Sequence, residues 1–159
     1  MIEEFKKILD DINNEFTGKN AGNTRWTKEI KEKFTQLGKE KEFVVRCSSI
    51  DNSDDREWLY DLVWLDYCEP PAEKLKNIFL ILECEWSGDF MWDFSKLLIA
   101  KSDFKIFILE VKNKSESENL FNSCQDLINS FEKNNNDSYL ISCRTRESLQ
   151  FEHRVLTNS

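Results

Sequence analysis

Two stretches of this chain are apolar on both faces of a strand, and they constrain the fold more than any other feature. Asn77 to Trp86 reads Asn-Ile-Phe-Leu-Ile-Leu-Glu-Cys-Glu-Trp, and Phe104 to Val111 reads Phe-Lys-Ile-Phe-Ile-Leu-Glu-Val. A strand with one face in water alternates apolar and polar residues, whereas a strand without that alternation is covered on both sides. These two segments therefore predict central strands of a sheet that carries helices on both faces.

Helical periodicity supplies the covering elements. Ile2, Phe5, Ile8, Leu9, Ile12 and Phe16 recur at helical spacing, as do Trp26, Ile30, Phe34 and Leu37. Asn23 or Thr24 is placed to cap the second helix, and Gly38 to end it. Strands are expected at Glu42 to Ser49, Arg56 to Tyr67 and Ser138 to Arg144, with a last edge strand within Leu149 to Leu156. Turns are expected at Ile50 to Asp55, at Glu69-Pro70-Pro71 and at Ser87-Gly88-Asp89, and helices over Phe90 to Lys101 and Glu116 to Lys133. From Trp26 onward the order is helix, three strands, helix, strand, helix, strand. Three successive strands suggest an antiparallel meander, and strand–helix–strand units suggest parallel crossovers. The expected architecture is α/β, a three-layer α/β/α sandwich with a mixed central sheet. The chain of 159 residues suits one domain. It divides into an N-terminal helix and loop (1–22), a core (23–111) and a C-terminal helix-and-strand extension (112–159).

Charge narrows the function classes. With 22 basic against 30 acidic residues the net charge is −8, which disfavours a general nucleic-acid coat protein. A local groove for DNA or RNA stays open, as does a protein partner or a homodimer. The five cysteines are odd in number and form no C-x-x-C pair, so zinc is disfavoured and reduced thiols in the cytoplasm are expected. No apolar run is long enough to span a bilayer, and Met1 to Asp10 lacks a signal-peptide pattern. His153 is the single histidine, which excludes a His-rich metal site within one chain, and no phosphate-binding glycine loop is present.

The candidates for chemistry are carboxylates set inside apolar strands. Asp61 interrupts Trp58-Leu59-Tyr60-Asp61-Leu62-Val63-Trp64, and Glu83 and Glu85 close the run from Ile78. Side chains two apart on a strand share a face at a spacing of roughly 6–7 Å. Glu83 and Glu85 thus point the same way, and Asp61 approaches them if the strands pair. Converging carboxylates repel unless a cation or a proton intervenes, and their oxygens suit Mg²⁺ or Mn²⁺.

Asp61, then Glu83-Cys84-Glu85 ending the next strand, then a helix and another strand, resembles the PD-(D/E)XK nuclease-like superfamily, with its restriction-endonuclease-like αβββαβ core over 23–111. That resemblance implies a Mg²⁺-dependent hydrolase of phosphodiester bonds, with Asp61 and Glu83 as metal ligands. Glu85 stands where the family has a lysine, and Tyr60 where it often has a proline. Some members carry Glu at the lysine position, and others take their lysine from the following helix, which here offers Lys96 and Lys101. Lys96 is preferred because it lies nearer the helix start. Glu85 then serves as a third ligand or a general base, and Glu29 of the first core helix is a further candidate carboxylate. The alternative is a binding module that keeps the fold without the chemistry, which the missing strand lysine and the acidic charge favour.

Overall fold

Strands apolar on both sides need cover on both sides, and the fold is built around that need. The computed structural model of the chain describes residues 1–19, 21–47, 59–68, 74–86, 90–131 and 137–158. Its elements are α1 (Ile2–Phe16), α2 (Asn23–Glu40), β1 (Val44–Cys47), β2 (Leu62–Tyr67), β3 (Leu75–Glu85), α3 (Phe90–Ile99), β4 (Phe104–Val111), α4 (Lys114–Ser130), β5 (Ser138–Thr145) and β6 (Phe151–Thr157). The strands lie in one six-stranded open sheet, in sequence order from β1 to β6. β1–β2, β2–β3 and β5–β6 pair antiparallel, while β3–β4 and β4–β5 pair parallel. α3 and α4 make the two parallel connections, since a parallel partner requires the chain to return along a face of the sheet. β3 and β4 occupy its middle, and Leu80, Ile81, Leu82, Ile106, Phe107 and Ile108 are fully buried.

Alternation along the strands divides the core in two. Leu62, Trp64, Leu80, Leu82, Ile106 and Ile108 pack with Phe5, Leu9 and Ile12 of α1 and Ile30 and Phe34 of α2. Val63, Leu65, Ile81, Phe107, Leu109 and Ile141 pack with Phe94 and Leu97 of α3 and with Leu120, Phe121 and Cys124 of α4. Among the described residues, no helix is long and apolar enough to cross a membrane. All five cysteines are free thiols, and burial pushes Cys124 up to about 12, which leaves it inert at neutral pH.

Several boundaries differ from the sequence expectation. β2 begins at Leu62, because residues 59–61 bend, while Arg56 to Trp58 lie outside the described residues, as do the expected turns at 50–55, 69–71 and 87–89. α3 stops at Ile99, short of Lys101. α2 runs through Gly38 to Glu40, so that glycine is not a terminator. It is a notch for Trp64, which is fully buried, edge-on to Phe5 at 5.6 Å and stacked on Phe43 at 5.5 Å. A Cβ on Gly38 would meet Trp64 Nε1 and Val45 Cγ2, each at 2.6 Å. Such crowding displaces a packed side chain or the helix. Gly38→Ala is therefore expected to destabilise the protein by about 1–3 kcal/mol, the usual range for overpacking. The check is a urea unfolding curve with a lower midpoint and an unchanged slope.

Candidate functional site

The carboxylates at the end of β3 differ in position and in partner. Glu83 and Glu85 share the pleat face of Ile81, on the α3 and α4 side, whereas Cys84 packs toward α1 and α2. Glu83 is only 3% exposed. Lys96 of α3 brings its Nζ to 2.6 Å from Glu83 Oε1 and 2.8 Å from Asp93 Oδ1. Glu83 and Lys96 form a close, largely buried pair. Lys96, rather than Lys101, is the lysine of α3 that reaches Glu83. Asp93 is the partner that the sequence analysis missed, although its i, i+3 spacing from Lys96 was a usable signal.

Asp61 is held separately. Its Oδ2 accepts a hydrogen bond from the Cys84 amide at 2.9 Å, closing the edge of β3 just where β2 begins. Its Oδ1 lies 2.8 Å from Nζ of Lys31, a buried lysine of α2. Lys31 was also missed. Its signal is faint: it lies three residues before Phe34 and seven before Gly38, on the stripe that faces the sheet, among many lysines of that helix.

The three carboxylates therefore do not gather into one ligand set as expected. Lys31 draws Asp61 toward α2, and Lys96 holds Glu83 under α3. Among the described residues, no three His, Cys, Asp or Glu side chains are close enough to share a metal. They nevertheless remain within electrostatic reach. Asp61, Lys31, Glu83 and Glu85 all act on the Cys84 thiol, whose pKa is raised, chiefly by burial.

Burial is the main force on Glu83. It pushes the carboxyl up to about 8, with the like charges of Asp61 and Asp93 adding to the rise and Lys96 opposing it. For Lys96 burial works against the charged form, but Asp93 and Glu83 outweigh it and hold the lysine above its ordinary value. Tyr60 beside them is raised by burial and by Glu83.

The other candidates lie elsewhere. Lys101 is exposed and beyond the end of α3, and Glu29 sits 3.8 Å from Lys33 in a pair along α2. His153 of β6 has Nδ1 at 2.9 Å from Ser142 Oγ and Nε2 at 3.1 Å from Asp10 Oδ1. That succession of serine, histidine and aspartate ties α1 to the sheet. It cannot present a nucleophile, because Ser142 is fully buried. Beyond Glu85 a cleft of about 270 Å³ opens between α3, α4 and the ends of β3 and β4, with Phe90, Leu109 and Leu120 as apolar walls and Glu85, Glu110 and Glu116 as acidic groups. Comparison with known proteins finds no matching family model, curated protein or solved structure.

The electrostatics of Glu83 give a signed expectation. A carboxyl raised from 4.5 to about 8 in the folded state contributes stability that is full below pH 4.5 and is lost as pH rises through 8. Glu83→Gln removes that loss. Relative to wild type the variant should gain stability between pH 5 and pH 9, on the order of a few kcal/mol. Urea midpoints for both proteins across that range test it. Asp61→Asn should instead lower the midpoint, because it takes away the charge that faces buried Lys31.

Proposed function

We propose that this chain is a nuclease-like protein of PD-(D/E)XK type, with its three-layer core over 23–111, that hydrolyses phosphodiester bonds with the help of Mg²⁺ or Mn²⁺. The observation that carries the reading is the approach of Lys96 to Glu83. The strand position where the family has lysine holds Glu85, and a lysine from the next helix reaches the buried carboxylate instead. Asp61 at the start of β2 and the element order around it agree with the same reading.

Asp61, Glu83 and Glu85 are the carboxylates that would hold the cation, but as they stand Lys31 and Lys96 occupy the first two and the three form no shared ligand set among the described residues. The bound ion supplies a water of lowered pKa and offsets charge on the phosphate. Lys96 would be the cation that offsets charge building on the phosphate. Asp93 stays in reach to orient it. Glu83 must give up its proton to serve as a ligand, so cation binding should tighten as pH rises toward 8.

The experiment is Mn²⁺ titration by calorimetry, paired with cleavage of labelled single- and double-stranded DNA and RNA. Cleavage is expected only with Mg²⁺ or Mn²⁺. Glu83→Gln should abolish it while remaining folded, and Lys96→Ala should slow it by about 100-fold, the scale of one lost charge-stabilising donor. Lys101→Ala should leave it unchanged. Absence of both Mn²⁺ binding and cleavage overturns this reading. The site would then belong to a binding module, a view favoured by one observation: both oxygens of Asp61 are already occupied, by Lys31 and by the Cys84 amide.

A further inference from the structure

Two ammonium groups stand where the carboxylates at the end of β3 would otherwise meet a cation from solution. Lys31 Nζ lies 2.8 Å from Asp61 Oδ1, and Lys96 Nζ lies 2.6 Å from Glu83 Oε1. The two lysines are not equally free to leave. The Lys96 side chain is 18% exposed, and Asp93 Oδ1 at 2.8 Å keeps it paired if Glu83 is given up. The Lys31 side chain is only 6% exposed, on the sheet-facing side of α2. Water therefore offers its ammonium little recompense for leaving Asp61.

Asp61 is not free to turn away either. Its Oδ2 accepts from the Cys84 amide at 2.9 Å, where β2 begins beside β3. The carboxylate is clamped by that bond, and Oδ1 is the oxygen left to meet a cation. An ion coordinated there sits about 2.1 Å from the oxygen, which leaves it no more than about 5 Å from the Lys31 ammonium. Like charges at that range repel even in water, and more strongly where burial thins the solvent. A divalent ion and the ammonium are therefore alternative occupants of Asp61.

We infer that Lys31 is a built-in competitor for the divalent cation: its ammonium occupies Asp61 in the folded chain and sets how tightly any ion binds at the end of β3. The inference rests on the nuclease-like reading in taking Asp61 as a metal ligand, and it is tested without cleavage. Mn²⁺ is titrated by calorimetry into the full chain as wild type, as Lys31→Met, as Lys31→Arg and as Lys31→Met combined with Asp61→Asn. Lys31→Met drops the charge and keeps most of the stem. It should bind Mn²⁺ at least about tenfold more tightly than wild type, the scale of the repulsion removed even at the dielectric of water. Mn²⁺ should accordingly raise its urea midpoint by more than that of wild type. Lys31→Arg keeps the charge and should bind as weakly as wild type, and Asp61→Asn should cancel the gain. A lysine that merely supported the fold would give no gain in affinity on removal. If Lys31→Met does not fold, Lys31→Gln, whose neutral amide retains a hydrogen-bond donor, takes its place in the same comparison. Equal affinity in wild type and the neutral variant, no binding in either, or a gain that survives Asp61→Asn overturns the inference. Mn²⁺-dependent cleavage by a wild type that binds as tightly as Lys31→Met would overturn it and keep the nuclease reading. Binding by Lys31→Met alone, with neither binding nor cleavage in wild type, would do the reverse.

Discussion

A carboxylate sealed at the end of an apolar strand has to be answered by a cation or keep its proton, and the surroundings of Glu83 follow from that requirement. α3 is phased so that Lys96 reaches it, and Asp93 holds Lys96 from one turn away. At the sheet edge the pattern repeats with Asp61 and Lys31. Acid–base pairs thus flank the end of β3, one reaching to α2 and one to α3, helices that pack on opposite faces. Buried ion pairs return little stability for their desolvation, so a cluster of this kind is poorly explained as reinforcement of the fold. Its place at the C-terminal end of a parallel strand, where open α/β sheets bind their ligands, fits a chemical role better.

A second buried lysine gives the contrast. Lys105 enters β4 at the opposite end of the same face, with its side chain fully buried between Asp137 and Tyr139, whose hydroxyl is 3.1 Å away. Burial lowers its pKa, and one carboxylate does not make good the loss. Lys96 faces two carboxylates and is raised. The lysine with surplus acid beside it has apolar, exposed neighbours and a cleft close by. The other is packed shut against an aromatic ring, 4.7 Å from its centroid, and acts as a structural plug.

How much the sequence disclosed depended on whether a feature was periodic or relational. The helices and central strands with a clean apolar period were readable, because burial imposes that period on the residues themselves. Gly38 was misread because a glycine near a helix end looks the same whether it stops the helix or admits an indole. Only the position of Trp64, 26 residues on, separates the two. Lys96 could be chosen over Lys101 from its nearness to the helix start. Lys31 could not be singled out, since its burial depends on β2 bending at residues 59–61 to present Asp61. The outer side of α3, where Trp92 and Ile99 are exposed, could not be read for a related reason. Apolar residues at helical spacing state that a face wants cover, not whether the chain itself provides it.

The outermost strand illustrates a different economy. β6 lies at the border of the sheet, with Glu152, His153 and Arg154 in succession at its centre. Each is tied inward: Glu152 accepts from Ser117, His153 bridges Ser142 and Asp10, and Arg154 meets Glu118 through a guanidinium nitrogen 2.9 Å and 3.0 Å from its two oxygens. A border strand normally offers its free backbone groups as a template for another chain. Here three consecutive side chains fasten that border to α1 and α4, so a foreign strand would find it charged and already braced. Growth of the sheet from one molecule into the next is thereby disfavoured on this side.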